Sequence, residues 1–225
     1  LTEKQALAKQ LHQAADQYAD LFLPTLLAIE YREGGILPSE MLLFLIACKL
    51  QSVTHVVESG RCFGYSTEIL AASGFHVISI DTVYSDVCDR LKKYSNVEMR
   101  RADGNHEVAR AVSNWGNHRM AVLLDGPKGV RAFNIFAQVY NKVALAAIHD
   151  LHAIRDDGKR NLSNELALAR CCYLSESAEW VDRFGWLDED AVKIAKHESR
   201  KSLTSYGYWL GVFPAGRWAW QSTES

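Results

Sequence analysis

His55-Val-Val-Glu-Ser-Gly-Arg-Cys-Phe-Gly-Tyr-Ser-Thr67 is the stretch whose reading decides the fold. Val56 and Val57 form a short apolar strand, and Glu58 stands at its tip. Gly60 and Gly64 then shape a loop, and a helix begins near Ser66 and Thr67. A strand–loop–helix turn of this kind directs backbone N–H groups and a helix N-terminus at a ligand, while glycines let the backbone come close. The acid at the strand tip suits a ligand that offers hydroxyls or an amine.

The same form repeats downstream. Strand 76–80 ends at Asp81, strand 97–101 precedes Asp103, strand 120–124 precedes Asp125, and strand 144–148 leads to His149 and Asp150. Helical patterns over 66–73, 85–94, 106–113 and 131–143 separate them. Short apolar runs alternating with helices specify a parallel sheet in an α/β fold. The five acids recur at roughly the length of one βα unit, so they should gather at the carboxyl edge of the sheet, where open α/β sheets bind ligands. Any one of them is explained equally well as the N-cap of the next helix. Five in phase are not.

Outward from this centre, 38–50 reads as a buried helix opened by Pro38, and Gly34-Gly35 as a turn. A capping box at Thr2–Gln5 opens an N-terminal helix with an apolar stripe at Leu7, Leu11, Ala14, Tyr18 and Leu21, disturbed by Pro24. That helix packs on the main domain or serves as a lid or dimer contact. Past Asp150 the chain reads as a charged loop, a long helix over 161–184, and strands over 192–197 and 206–213 that form an antiparallel hairpin. Trp209, Trp218 and Trp220 make the C-terminal segment aromatic, suited to core or subunit packing.

Composition narrows the function. The chain has 225 residues, 48% of them hydrophobic, and a net charge of −2, so nothing points to nucleic acid. The apolar run 41–48 is too short to span a bilayer. Five cysteines without a CxxC pair argue against a disulfide framework or a structural zinc, which makes the cytoplasm the expected location. Leu1 in place of Met fits a fragment or a processed chain, and no signal peptide is read.

From about residue 36 to 215 the chain resembles the class I S-adenosylmethionine (SAM) methyltransferases, whose arrangement is five parallel βα units closed by an antiparallel pair. Glu58-Ser-Gly60-Arg-Cys-Phe-Gly64-Tyr65-Ser66-Thr67 is similar to the first motif, E-x-G-x-G-x-G-Y-S-T, of the catechol and caffeoyl-CoA O-methyltransferase branch. The resemblance implies that these residues hold the methionine part of SAM, that Asp81 binds the ribose hydroxyls and that Asp103 lies near the adenine amine. Leu124-Asp125-Gly-Pro-Lys128-Gly resembles the next motif of that branch, in which the Asp binds SAM and a divalent metal and a Lys acts as base. Asp150 falls where a second metal-binding Asp stands.

Two departures mark this chain. Cys62 replaces the middle glycine of the first motif, and Leu151 replaces the Asn that serves as third metal ligand, with His149 or His152 as the substitutes on offer. Arg61 either meets a carboxylate of the ligand or pairs with a nearby acid.

The expectation is thus a Rossmann-like, seven-stranded, mostly parallel sheet with helices on both faces, a C-terminal antiparallel hairpin and N-terminal helices. Residues 1–35 are an N-terminal extension and 36–225 the α/β domain. The expected activity is SAM-dependent O-methylation of a small hydroxylated acceptor, a sugar, phenol or natural-product intermediate, with Mg²⁺ as an assisting metal. Lys128, Asp125 and His149 are the catalytic candidates. Glu58, Gly60, Gly64, Tyr65, Ser66, Asp81, Asp103 and Asp125 are the cofactor-binding candidates, and Asp125 and Asp150 the metal ligands. A homodimer is expected. A methyltransferase-like scaffold without activity is the alternative; a nicotinamide-dependent oxidoreductase is disfavoured because Gly60-x-x-x-Gly64 is not G-x-G-x-x-G.

Overall fold

The computed structural model describes residues 3–32, 34–116, 118–151, 171–175, 177–194 and 210–214. His152, the rest of the charged loop, Trp209, Trp218 and Trp220 lie outside them.

Helices α1 (Glu3–Ala28) and α2 (Pro38–Leu50) precede a regular alternation of β1 (His55–Ser59), α3 (Tyr65–Ala72) and β2 (His76–Asp81). A 3₁₀ helix (Asp86–Lys93) leads to β3 (Val97–Arg101), α4 (Gly104–Asn114), β4 (Met120–Leu124), α5 (Val130–Val139) and β5 (Leu145–Ile148). Then come β6 (Tyr173–Leu174), α6 (Ala178–Phe184), α7 (Glu189–Ile194) and β7 (Gly211–Pro214). The seven strands form one sheet in the order β3-β2-β1-β4-β5-β7-β6. β1 to β5 run parallel, and β7 lies antiparallel to both β5 and β6. This is the expected α/β Rossmann-like sheet.

Its cores follow from the period of two along a strand, which sends successive side chains to opposite faces. Val56, Val77, Ala121, Leu123, Leu145 and Ala147 meet α1, α2 and α3 on one face. Val57, Ile78, Val122, Leu124, Ala146 and Ile148 meet α4 and α5 on the other. Strands buried on both faces must be apolar throughout, as β4 is. α2 is buried all round from Pro38 to Cys48, as a helix apolar on every side must be.

Three local expectations change. The buried stripe of α1 runs Leu7, Leu11, Ala15, Ala19, Phe22 and Leu26, while Leu21 is exposed. The spacing of four along the first turns carries the seam past Ala14 and Tyr18 onto the small alanines, and α1 continues through Pro24. Next, the long helix expected up to Phe184 is interrupted, because Tyr173–Leu174 pair with β7 and Ser177 caps a fresh helix by accepting from the Trp180 amide. Finally, Val192–Ile194 belong to α7 and not to a strand; Leu187 and Ala191 are buried four residues apart, a helical spacing that outweighs the alternation of Val192 and Ile194. The partner of the last strand is therefore β6.

Candidate active site

Strand order reverses between β1 and β4, since β2 and β3 lie to one side of β1 and β5 to the other. Ligands of open α/β sheets bind in the crevice at such a switch point. Here the two strand tips are joined: the amides of Asp125 and Gly126 both donate to the Ser59 carbonyl at 2.8 Å, and the Ser59 hydroxyl donates to the Gly126 carbonyl. Gly60 has φ +95°, and a Cβ there would overlap the Gly126 amide nitrogen. Only glycine satisfies both demands.

The loop after β1 is built from the inside. Glu58, fully buried one residue before the end of β1, accepts hydrogen bonds from Ser66 (2.5 Å), Ser79 (2.6 Å) and Thr67. Burial pushes its carboxyl up against the opposing pull of those hydroxyls and of Arg61. Arg61 is 1% exposed and turns under the loop, donating to the Ser79 carbonyl at 2.7 Å. Its charge acts on the buried Glu58. Cys62 takes φ +48° in place of a glycine, and its amide donates to Asp81 at 2.9 Å. Gly64 (φ +75°) caps α3, and Tyr65 is buried with its ring 5.0 Å from that of Tyr31.

Asp81 is half-buried at the tip of β2 and also accepts from the Val83 amide at 2.9 Å. Asp103 is exposed at the tip of β3 and caps α4 by accepting from the Asn105 amide at 2.9 Å. Asp81 thus borders the loop, whereas the Glu58 carboxylate and the Ser66 hydroxyl are buried and bonded to each other. Beside Asp81 the loop is held in left-handed backbone conformations at positions 60, 62 and 64.

Around the tips of β4 and β5 lies a second cluster. The Lys128 ammonium contacts Asp125 and lies 2.7 Å from Asp150. His149 Nδ1 is 2.7 Å from Asp125, and its Nε2 is 3.1 Å from Glu40. Burial would push the His149 imidazole down, but Glu40 and Asp125 raise it to about 10. Burial would push Asp125 up, but His149 and Lys128 hold it well below the usual carboxylate range. Lys128 is likewise raised, since Asp125 and Asp150 outweigh its desolvation. A lysine acting as base must give up its proton, and these two carboxylates hold Lys128 as an ammonium instead.

Glu40 is the member that sequence reasoning missed. It stands 1% exposed in the first turn of α2, accepts from the Leu37 amide at 3.0 Å, and lies 3.3 Å from the Ser175 hydroxyl. An acid two residues after Pro38 reads as helix capping, which it also performs, so its second role left no mark in the sequence. Its neighbour Ser39 donates to Asp188 through its amide (2.8 Å) and hydroxyl (2.5 Å), and burial pushes that acid up to about 7.

Among the described residues the fit for Mg²⁺ fails. Ligand atoms of Asp125, His149 and Asp150 lie within 4.8 Å of one another, a spacing a metal could use. Mg²⁺, however, takes an octahedron of oxygens, both nitrogens of His149 are engaged, and Lys128 stands between the two aspartates. Leu151, in the place of the third ligand, is buried at 1% exposure.

No protein-family model matches the chain, and no curated protein matches it. Among solved structures, the apo structure of CalS11, a TDP-rhamnose 3′-O-methyltransferase in calicheamicin biosynthesis, is similar at 12% identity and a TM-score of 0.46, over 96% of each chain. A likeness of that degree carries no functional information. No helix among the described residues is long and apolar enough to cross a membrane.

Proposed function

We propose that the chain is a SAM-dependent methyltransferase acting on a hydroxyl of a small acceptor such as a sugar, phenol or natural-product intermediate. The observation that carries this reading is the joining of the β1 and β4 tips, which sets the glycine loop, Asp81 and Asp103 on one side of the switch point and the Lys128 cluster on the other. Such a layout offers a nucleoside-binding half beside a polar half that can hold an acceptor. The motif resemblance supplies the identity of the nucleoside.

In this reading Asp81 receives the ribose hydroxyls, Asp103 the adenine amine, and the loop from Gly60 to Gly64 the amino-acid end of SAM. SAM, when bound, supplies a methyl group already activated by its sulfonium. The work left to the chain is alignment of the acceptor and control of its proton. Lys128, as an ammonium, donates to the acceptor oxygen and favours its anionic form. Asp150, 2.7 Å from that ammonium and half-buried, is the carboxylate that receives the proton, since Asp125 is buried and held by His149. His149 holds Asp125 in place from within the core.

Incubation with SAM labelled in the methyl group and a panel of hydroxylated acceptors tests the proposal. Label transferred to an acceptor by the wild type, and at least about tenfold less by Lys128→Ala (roughly 1.4 kcal/mol), is the expected result. Equal transfer by both proteins contradicts the role of Lys128, and no transfer with any acceptor despite SAM binding favours the scaffold alternative.

A further inference from the structure

We propose that the Lys128 ammonium occupies, between Asp125 and Asp150, the place that a divalent cation holds in the metal-dependent branch, and that this site consequently takes no Mg²⁺ or Mn²⁺. The inference rests on the methyl-transfer reading only for the identity of the oxygen that Lys128 steers. Its geometric basis is independent of that reading.

Three observations converge. Lys128 spans the two carboxylates, touching Asp125 and standing 2.7 Å from Asp150. A dication between the same oxygens would face that ammonium at contact distance, so one of the two must leave. His149, the third group near enough to ligate, is held at both ring nitrogens, 2.7 Å from Asp125 and 3.1 Å from Glu40. Recruiting it would strip Glu40, itself buried, of its imidazole partner. Leu151, in the place of the Asn ligand, is a core residue, packed so tightly on Gly211 that a Cβ on that glycine would overlap its side chain, and that side chain carries no oxygen.

A lysine and a metal make different demands. An ammonium donates up to three hydrogen bonds and needs no fixed coordination number, so two carboxylates and an acceptor oxygen complete it. Mg²⁺ needs near-octahedral oxygen coordination.

Calorimetric titration of the purified full chain with MnCl₂, paired with melting curves in MnCl₂ and in EDTA, decides the matter. The wild type is expected to show no saturable heat up to millimolar Mn²⁺ and the same melting temperature in both solutions. Lys128→Ala, and Lys128→Met if the alanine variant does not fold, should gain saturable binding at least tenfold tighter than any wild-type binding, because the space between the carboxylates is vacated. Stoichiometric Mn²⁺ binding by the wild type, abolished in Asp125→Asn, overturns the proposal, and so does a folded Lys128 variant that gains nothing. SAM titration of the same preparations distinguishes this failure from failure of the methyl-transfer reading, since it reads the other half of the crevice.

Discussion

At the scale of single residues, His149 links the active-site candidates to stability. Its folded pKa of about 10 lies above the ordinary imidazole value of 6.5. A group raised in this way binds its proton more tightly when folded, so its contribution is fully present below about pH 6.5 and is lost as pH rises through about 10. Urea denaturation between those limits should therefore show falling stability, and His149→Gln should flatten the slope; an unchanged slope in that variant removes His149 as the cause. Glu40→Ala removes one of the two closest carboxylates that pair with the buried imidazolium and should cost about 3 kcal/mol, whereas Glu40→Gln should cost less. Equal effects from the two substitutions would reduce Glu40 to a packing residue. None of this was visible in the sequence, where Glu40 and His149 stand far apart and nothing local joins them; the contact exists because α2 packs on the sheet with its first turn over the tip of β5.

At the scale of elements, the turn from β1 to α3 was legible because its constraints are local. Gly60 and Gly64 take positive φ, and an apolar pair before them has only a buried strand to join. Gly60→Ala should lower stability by at least about 2 kcal/mol, from both the left-handed backbone and the overlap with Gly126. A melting temperature equal to that of the wild type would mean that the two strand tips are not joined. Asp81→Ala should weaken SAM binding by at least about tenfold while leaving the melting temperature within a few degrees; unchanged affinity removes the ribose assignment. The strand-tip acids were legible by their phase, although Glu58 proved to be an internal support and not part of the open edge. The closing strands were not legible. β6 is two residues long, too short for any period to show, and it pairs with β7 across a long separation in sequence. Just before β6 the Cys171 thiol donates to the Tyr173 carbonyl at 2.8 Å, a contact without a sequence signature.

At the scale of the molecule, two apolar faces and a reversal of strand order produce the crevice. The period of two in β1, β2, β4 and β5 fills a core on each side, and helices over both faces leave the carboxyl edge of the sheet as the place where polar side chains collect. That edge divides into the glycine loop with Asp81 and Asp103, and the Lys128–Asp125–Asp150 cluster backed by His149 and Glu40. In the proposed function the first half binds SAM. Calorimetric titration of the purified chain with SAM, with NAD as control, tests it most directly. Saturable binding of SAM in the micromolar range, about −8 kcal/mol, with no heat from NAD, is the predicted result. No SAM binding, or binding of NAD in its place, would contradict it.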